Sequence, residues 1–201
     1  MKSTLLLLLI SICAFYLSDA PVPAASTNEA KAKPSSAVQP PTPVVPSLSD
    51  ADKQTAIQEL RAKQLGLPLA GFDIASIKDS FNQTRGGIKH GAADMVAPRN
   101  TPVLAVEDGT IVKLFLSKAG GITIYQSDPT GKYVYYYAHL EKYAENLHDG
   151  DKVKKGQVVA YVGTSGNAPP DSPHLHFAIG VGDALKHWWQ AVDLDPYEIF
   201  K

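Results

Sequence analysis

Four of the chain's six histidines stand in segments where side chains of that type could hold or serve a metal. In Pro173-His174-Leu175-His176-Phe177-Ala178-Ile179, imidazoles alternate with apolar residues. Successive side chains on a strand face opposite ways, so His174 and His176 would share a cleft face while Leu175, Phe177 and Ile179 fill a core. His90 and Asp94 are separated by Gly91, Ala92 and Ala93. That even spacing sets both on one face of a strand, and a helix would do the same. His139 ends the run Lys132-Tyr133-Val134-Tyr135-Tyr136-Tyr137-Ala138-His139. Alternation there places Tyr133, Tyr135, Tyr137 and His139 on one side, with Val134, Ala138 and Leu140 opposite. Each segment alone has an ordinary explanation: a polar surface strand, a chance pair, an aromatic strand ending near solvent. Together they suit a metal site.

The chemistry narrows further. The single cysteine, Cys13, lies in the first apolar run, so beyond it neither a disulfide framework nor a thiolate site can form. A metal must be held by imidazole and carboxylate. Two imidazoles and one carboxylate leave the fourth position of a tetrahedral zinc open for water, as in hydrolytic sites. Zinc lowers the pKa of that water and polarises a scissile carbonyl. A proton acceptor and a group that steadies the oxyanion must stand nearby, and two further histidines can fill these roles. The chain has no His-Glu-x-x-His helix, so a glutamate base of that type is lacking.

The elements that must position these residues occupy the later part of the chain. From about residue 71 to 201, short alternating segments are bounded by Gly, Pro, Asn and Asp, the pattern of an all-β domain. Strands are expected at Pro102–Val106, Thr110–Ser117, Gly121–Ser127, Lys132–His139, Gln157–Val162 and His174–Val181, with a hairpin turn at Asp128-Pro129-Thr130-Gly131. The segments 101–109 and 156–163 echo each other, each a polar turn followed by a small, valine-rich strand. The expected fold is mainly β, a compact antiparallel sandwich of short hairpins with a short N-terminal helix. Residues 48–70 form that helical lead-in: Ser49-Asp50-Ala51-Asp52 reads as a capping box, Ile57 and Leu60 share a face, and Gly66 with Pro68 stops it.

Residues 1–24 read as an export signal, with Lys2, an apolar run from Leu5 to Leu17 and a small-residue site at Val22-Pro23-Ala24. A retained membrane anchor is the alternative. Residues 25–47 are rich in Pro, Ala and Ser and cannot bury a core, so they read as a disordered spacer. With Lys+Arg 19 against Asp+Glu 20, no basic excess points to nucleic acid. In the turn from Asp149 to Gly156, Asp149 and Asp151 offset most of the charge of Lys152, Lys154 and Lys155. His148 is expected in solvent, His187 beside Trp188 and Trp189 on a packed loop or groove edge, and Arg85 on either a substrate carboxylate or a structural ion pair.

His90-x-x-x-Asp94, Tyr137-Ala138-His139-Leu140 and Pro173-His174-Leu175-His176-Phe177, in this order, resemble the lysostaphin-type (LytM-domain) peptidoglycan metallopeptidases. The resemblance runs from about Gly71 to Phe200 and takes in Arg85-Gly86-Gly87 and Gly163-Thr164-Ser165-Gly166-Asn167. It implies a fold related to the barrel-sandwich hybrid, with one zinc ion per chain on His90, Asp94 and His176. It makes His139 and His174 the unliganded catalytic pair, and a peptidoglycan peptide the substrate, reached in the periplasm or cell envelope. Ala92 stands where the family usually has glycine, which implies a slight backbone adjustment. A catalytically silent relative that activates other cell-wall hydrolases would show replaced site residues, and all five are present. A biotinyl or lipoyl carrier would need a lysine at the tip Glu107-Asp108-Gly109-Thr110, which has none.

Overall fold

The computed structural model describes residues 47–201. The expected signal segment, and the expected spacer up to residue 46, lie outside the described residues. Helix α1 (Asp50–Ala62) leads, followed by a 3-10 turn at Ile74–Ile77. The strands are β1 (Thr84–Arg85), β2 (Ile88–Lys89), β3 (Ala93–Val96), β4 (Pro102–Leu104), β5 (Gly109–Ser117) and β6 (Gly121–Ser127). They continue with β7 (Tyr133–Tyr143), β8 (Lys152–Val153), β9 (Val158–Val162), β10 (His174–Val181) and β11 (Val192–Leu194), and α2 (Pro196–Phe200) closes the chain. The fold is mainly β and antiparallel, as its alternating segments imply. Among the described residues no helix is long and apolar enough to cross a membrane.

β1 and β2 form a separate small hairpin. The larger sheet runs β11-β10-β7-β6-β5-β8, with β3 also on β10 and β9 joining β7 to β4. The two echoing segments pair with each other: Val103 of β4 lies opposite Ala160 of β9, and the turn of one bonds the strand end of the other through Gly156 N–H to the Ala105 carbonyl. The turn at Asp128 closes on itself through Gly131 N–H to the Asp128 carbonyl.

β10 is central. Its first half pairs β3 on one edge and its second half pairs β11, while β7 covers the other edge. Leu175, Phe177 and Ile179 are fully buried, as alternation requires. Their core partners include Met95, Tyr135, Tyr137 and Leu194.

β7 does not keep one alternation along its length. It pairs β10 through Ala138 and then β9 from Leu140, with a register shift beyond that point. A strand that changes partners needs a corner. The corner is His139, whose φ of 59° is left-handed. Its N–H leaves the ladder and donates to the Gly120 carbonyl at 2.8 Å. Consequently His139 does not share a face with Tyr133, Tyr135 and Tyr137, contrary to the alternation expected from sequence. Those tyrosines point into the core, whereas His139 turns to the opposite side, which also carries Tyr136.

α1 is built into this domain. Ser49 caps it, accepting from Asp52 N–H at 3.2 Å, and Ala56, Ile57 and Leu60 are buried in the common core. Lys63, just past its end, bridges Glu107 at 2.9 Å and the buried Asp128 at 3.0 Å. Arg61 donates to the Glu198 backbone carbonyl of α2 at 2.6 Å.

Candidate metal centre

The three atoms His90 Nε2, Asp94 Oδ1 and His176 Nδ1 form a nearly equilateral triangle. Its edges are 3.1 Å (His90 to His176), 3.1 Å (His90 to Asp94) and 3.0 Å (His176 to Asp94). A tetrahedral ion bonded at about 2.0–2.1 Å separates its ligands by about 3.3 Å, so the triangle is the size such an ion requires. The donor set argues the same way. His90 Nδ1 lies 3.0 Å from the Ser80 carbonyl, which can only accept, so that nitrogen carries the proton and Nε2 presents a lone pair. That lone pair meets a carboxylate oxygen and a second imidazole nitrogen within hydrogen-bond distance, with at most one proton to share among them. Electron-rich atoms so placed suit a cation between them.

Each residue arrives by a different route. Asp94 on β3 and His176 on β10 are directly opposite one another in register, which fixes their proximity through the sheet ladder. His90 is not on that strand. It lies after β2, and Gly91, with φ of 67°, turns the chain between it and β3. The even spacing from His90 to Asp94 therefore does not report a shared strand face, as the sequence suggested; a left-handed residue resets the count. A Cβ at Gly91 would also lie 2.7 Å from Asp193 Oδ2. Ala92 is buried, and the three groups still converge, their ligand atoms all within 4.8 Å of one another.

His139 and His174 stand beside the triangle, with ring centroids 4.9 Å apart and His139 5.5 Å from His176. Both are anchored in the same sense. His139 Nδ1 is 2.9 Å from the Ser165 carbonyl, and His174 Nδ1 is 2.8 Å from the Ser172 carbonyl. Each Nδ1 is therefore the N–H donor, and the Nε2 atom of each ring lies on the side away from that carbonyl. Burial pushes the His139 pKa down; the bond to Ser165 opposes this, and His176 and His174 reinforce it. The close approach of the Ser165 loop depends on glycine: a Cβ at Gly121 would sit 2.3 Å from Gly166 N and Ser165.

Asp94 carries the reverse balance. Burial alone would raise its carboxyl, but the His176, His90 and Arg85 side chains set against its oxygens outweigh burial and hold the group well below the usual carboxylate range. Arg85 reaches Asp94 Oδ2 at 2.7 Å, so of the two expected roles the structure shows the ion pair. Sequence reasoning missed Ser80. Its carbonyl orients His90, and its hydroxyl accepts from Asp94 N–H at 3.1 Å, yet a serine in a loop carries no signal of this. His148 is exposed and away from the cleft, and His187 is exposed with its ring 5.8 Å from Trp189.

The cleft over these residues has a volume of about 340 Å³ and is lined by Arg85, His90, Tyr136, His139, Asn167 and His176, among others. Residues 88–187, which hold all five side chains, match the family model for Peptidase family M23. The domain belongs to this family. An M23 relative, the L-Ala--D-Glu endopeptidase of Bacillus subtilis, is 31% identical over 113 residues, covering 54% of this chain and 33% of its own length. The peptidoglycan DD-endopeptidase ShyC of Vibrio cholerae is 30% identical over 136 residues, 65% of this chain and 30% of its own. The chain thus spans about a third of the curated relatives' length. The structure of Helicobacter pylori Csd3 superposes with a TM-score of 0.51 at 22% identity, covering 70% of this chain and 36% of that one, a likeness of fold.

Proposed function

We propose that this chain is a zinc-dependent endopeptidase that hydrolyses peptide bonds in peptidoglycan stem peptides or cross-links. The observation that carries the reading is the His90–Asp94–His176 triangle beside two imidazoles that each bond a backbone carbonyl through Nδ1 and so leave Nε2 free of it. His90, Asp94 and His176 would hold one zinc ion. When bound, zinc supplies a Lewis acid that polarises the scissile carbonyl and makes water more acidic.

The chain's own residues do the rest. His139 is kept neutral by burial and accepts a proton at Nε2 from the attacking water. His174, oriented by the Ser172 carbonyl, presents its Nε2 to the same space. Once protonated, either imidazole can donate a hydrogen bond to the developing oxyanion or a proton to the leaving amine. Arg85 holds the outer oxygen of Asp94 and keeps Oδ1 in the triangle. The relatives' names support peptidoglycan as substrate but print different bonds, L-Ala--D-Glu in one and a DD-linkage in another. Residues 1–24 would export the domain, and residues 25–47 would give it reach within the periplasm or envelope.

The test is digestion of isolated peptidoglycan sacculi by wild type and His174→Ala, with the released muropeptides resolved by chromatography. Wild type should release defined fragments and His174→Ala none. Sacculi left intact by zinc-loaded wild type would replace this reading with that of a silent regulator of other hydrolases.

A further inference from the structure

Beside the metal cleft lies a second trough, of about 150 Å³, whose walls include Tyr125, Tyr136, Ala178, Trp188, Trp189 and Asp193. Tyr136 belongs to both spaces, and its ring lies 6.0 Å from that of His176. The cleft face of β10 reads His174, His176, Ala178, Gly180, so its two small residues leave the floor open where the imidazoles end. Opposite them in register stand Tyr136 and Val134 of β7. Tyr125 packs on Tyr136 at 4.6 Å, Trp188 on Tyr125 at 4.3 Å, and Trp189 meets Trp188 edge-on at 5.0 Å.

The polar member of the trough is Asp193, opposite Gly180 on β11. Among the described residues its side chain has no hydrogen bond and no ion pair. Lys89, whose charge reaches it, lies instead over the Phe81 ring at 4.2 Å. Aromatic faces around a free carboxylate make a receptor for an organic cation: the rings attract the charge electrostatically, and the carboxylate accepts its N–H bonds. The trough, at about 150 Å³, has room for an aminoalkyl chain. Ala178 is about 7 Å along the strand from His176, within reach of a long side chain next to the cleaved bond.

We infer that this trough binds the ammonium-bearing side chain of a diamino acid in the substrate peptide, with Asp193 as its counter-ion. The inference rests on the peptidase reading for the identity of the substrate, not for the binding itself. The chain's two tryptophans both stand at the trough, so intrinsic fluorescence reports its occupancy without catalysis.

The probes are soluble muropeptides with a free diamino-acid amine, and the same muropeptides after acetylation of that amine. They are titrated against the His174→Ala protein, which prevents turnover, alone and combined with Asp193→Asn or Trp189→Leu. The free-amine form should bind at least about tenfold more tightly than the acetylated form. Asp193→Asn should remove that preference, and Trp189→Leu, at an exposed position that the core does not need, should weaken it. Equal affinity for the two forms, a preference that survives Asp193→Asn, or no fluorescence response overturns the inference. A protein that prefers the free amine but whose wild type leaves sacculi intact overturns the peptidase reading alone.

Discussion

Arg85 and Ser80 show how far the candidate centre extends beyond the residues that would touch the metal. Arg85 binds Asp94 Oδ2 at 2.7 Å, and Ser80 holds both His90 and the Asp94 backbone. Groups that orient metal-holding side chains typically contribute 10–100-fold to metal affinity. Arg85→Met should weaken zinc binding by about that factor in competition with a chromogenic chelator, and an unchanged affinity would reduce Arg85 to a surface residue. The five principal side chains were legible in the sequence because histidine and aspartate in ordered segments carry chemical meaning. How they converge was legible only at His174 and His176, which sit on one regular strand. At His90 and His139 the backbone passes through or beside a left-handed residue, and counting by twos loses its phase there. Ser80 acts through its carbonyl, a group every residue has, so no sequence pattern could single it out.

At the scale of elements, β7 and α1 do most to shape the site. β7 serves two neighbours, and its corner delivers His139 to the cleft. α1 secures the back of the same strand: Lys63 reaches Asp128 at the hairpin turn that starts β7, and Glu59 accepts from Tyr133 at 2.6 Å. Asp128 has a fully buried side chain and also accepts from the N–H groups of Lys132 and Tyr133. Lys63→Met would leave that carboxylate short of its cation. Because the other bonds persist, the loss should fall at the low end for a broken buried pair, about 3 kcal/mol by urea denaturation. Burial alone would raise the Asp128 pKa, but the bonds from Tyr133, Thr130 and Lys63 hold it below 3.8. A depressed carboxyl stabilises the fold above its unfolded pKa, and that contribution is lost as pH falls through the folded value. Stability should therefore decline below about pH 4. Asp128→Asn should show a shallower decline, and an unchanged slope would remove Asp128 from the account. The long strands were readable from alternation and turn chemistry. Of the shorter strands, β4 was readable within the valine-rich run from Pro102 to Val106, but β1, β2, β8 and β11 were not, because so short a run without such a flank has no period to detect.

Across the described domain, the core and the candidate centre are separable. Buried apolar residues from α1, β7, β9 and β10 form one cluster, while the candidate ligands His90 and His176 face the cleft on the other side of β10. Metal removal by chelation should therefore leave the β circular dichroism intact and lower the melting temperature only by the linkage term. That term is about 4 kcal/mol at a thousandfold excess of free zinc over its Kd. Collapse of the fold on chelation would mean that the metal is structural. The division of roles among the five residues is tested most directly by the zinc content of three dialysed proteins: wild type, Asp94→Ala and His174→Ala. The account predicts about one zinc per chain in wild type and in His174→Ala, and almost none in Asp94→Ala. Wild type without zinc, or loss of zinc from His174→Ala with full retention in Asp94→Ala, would contradict it.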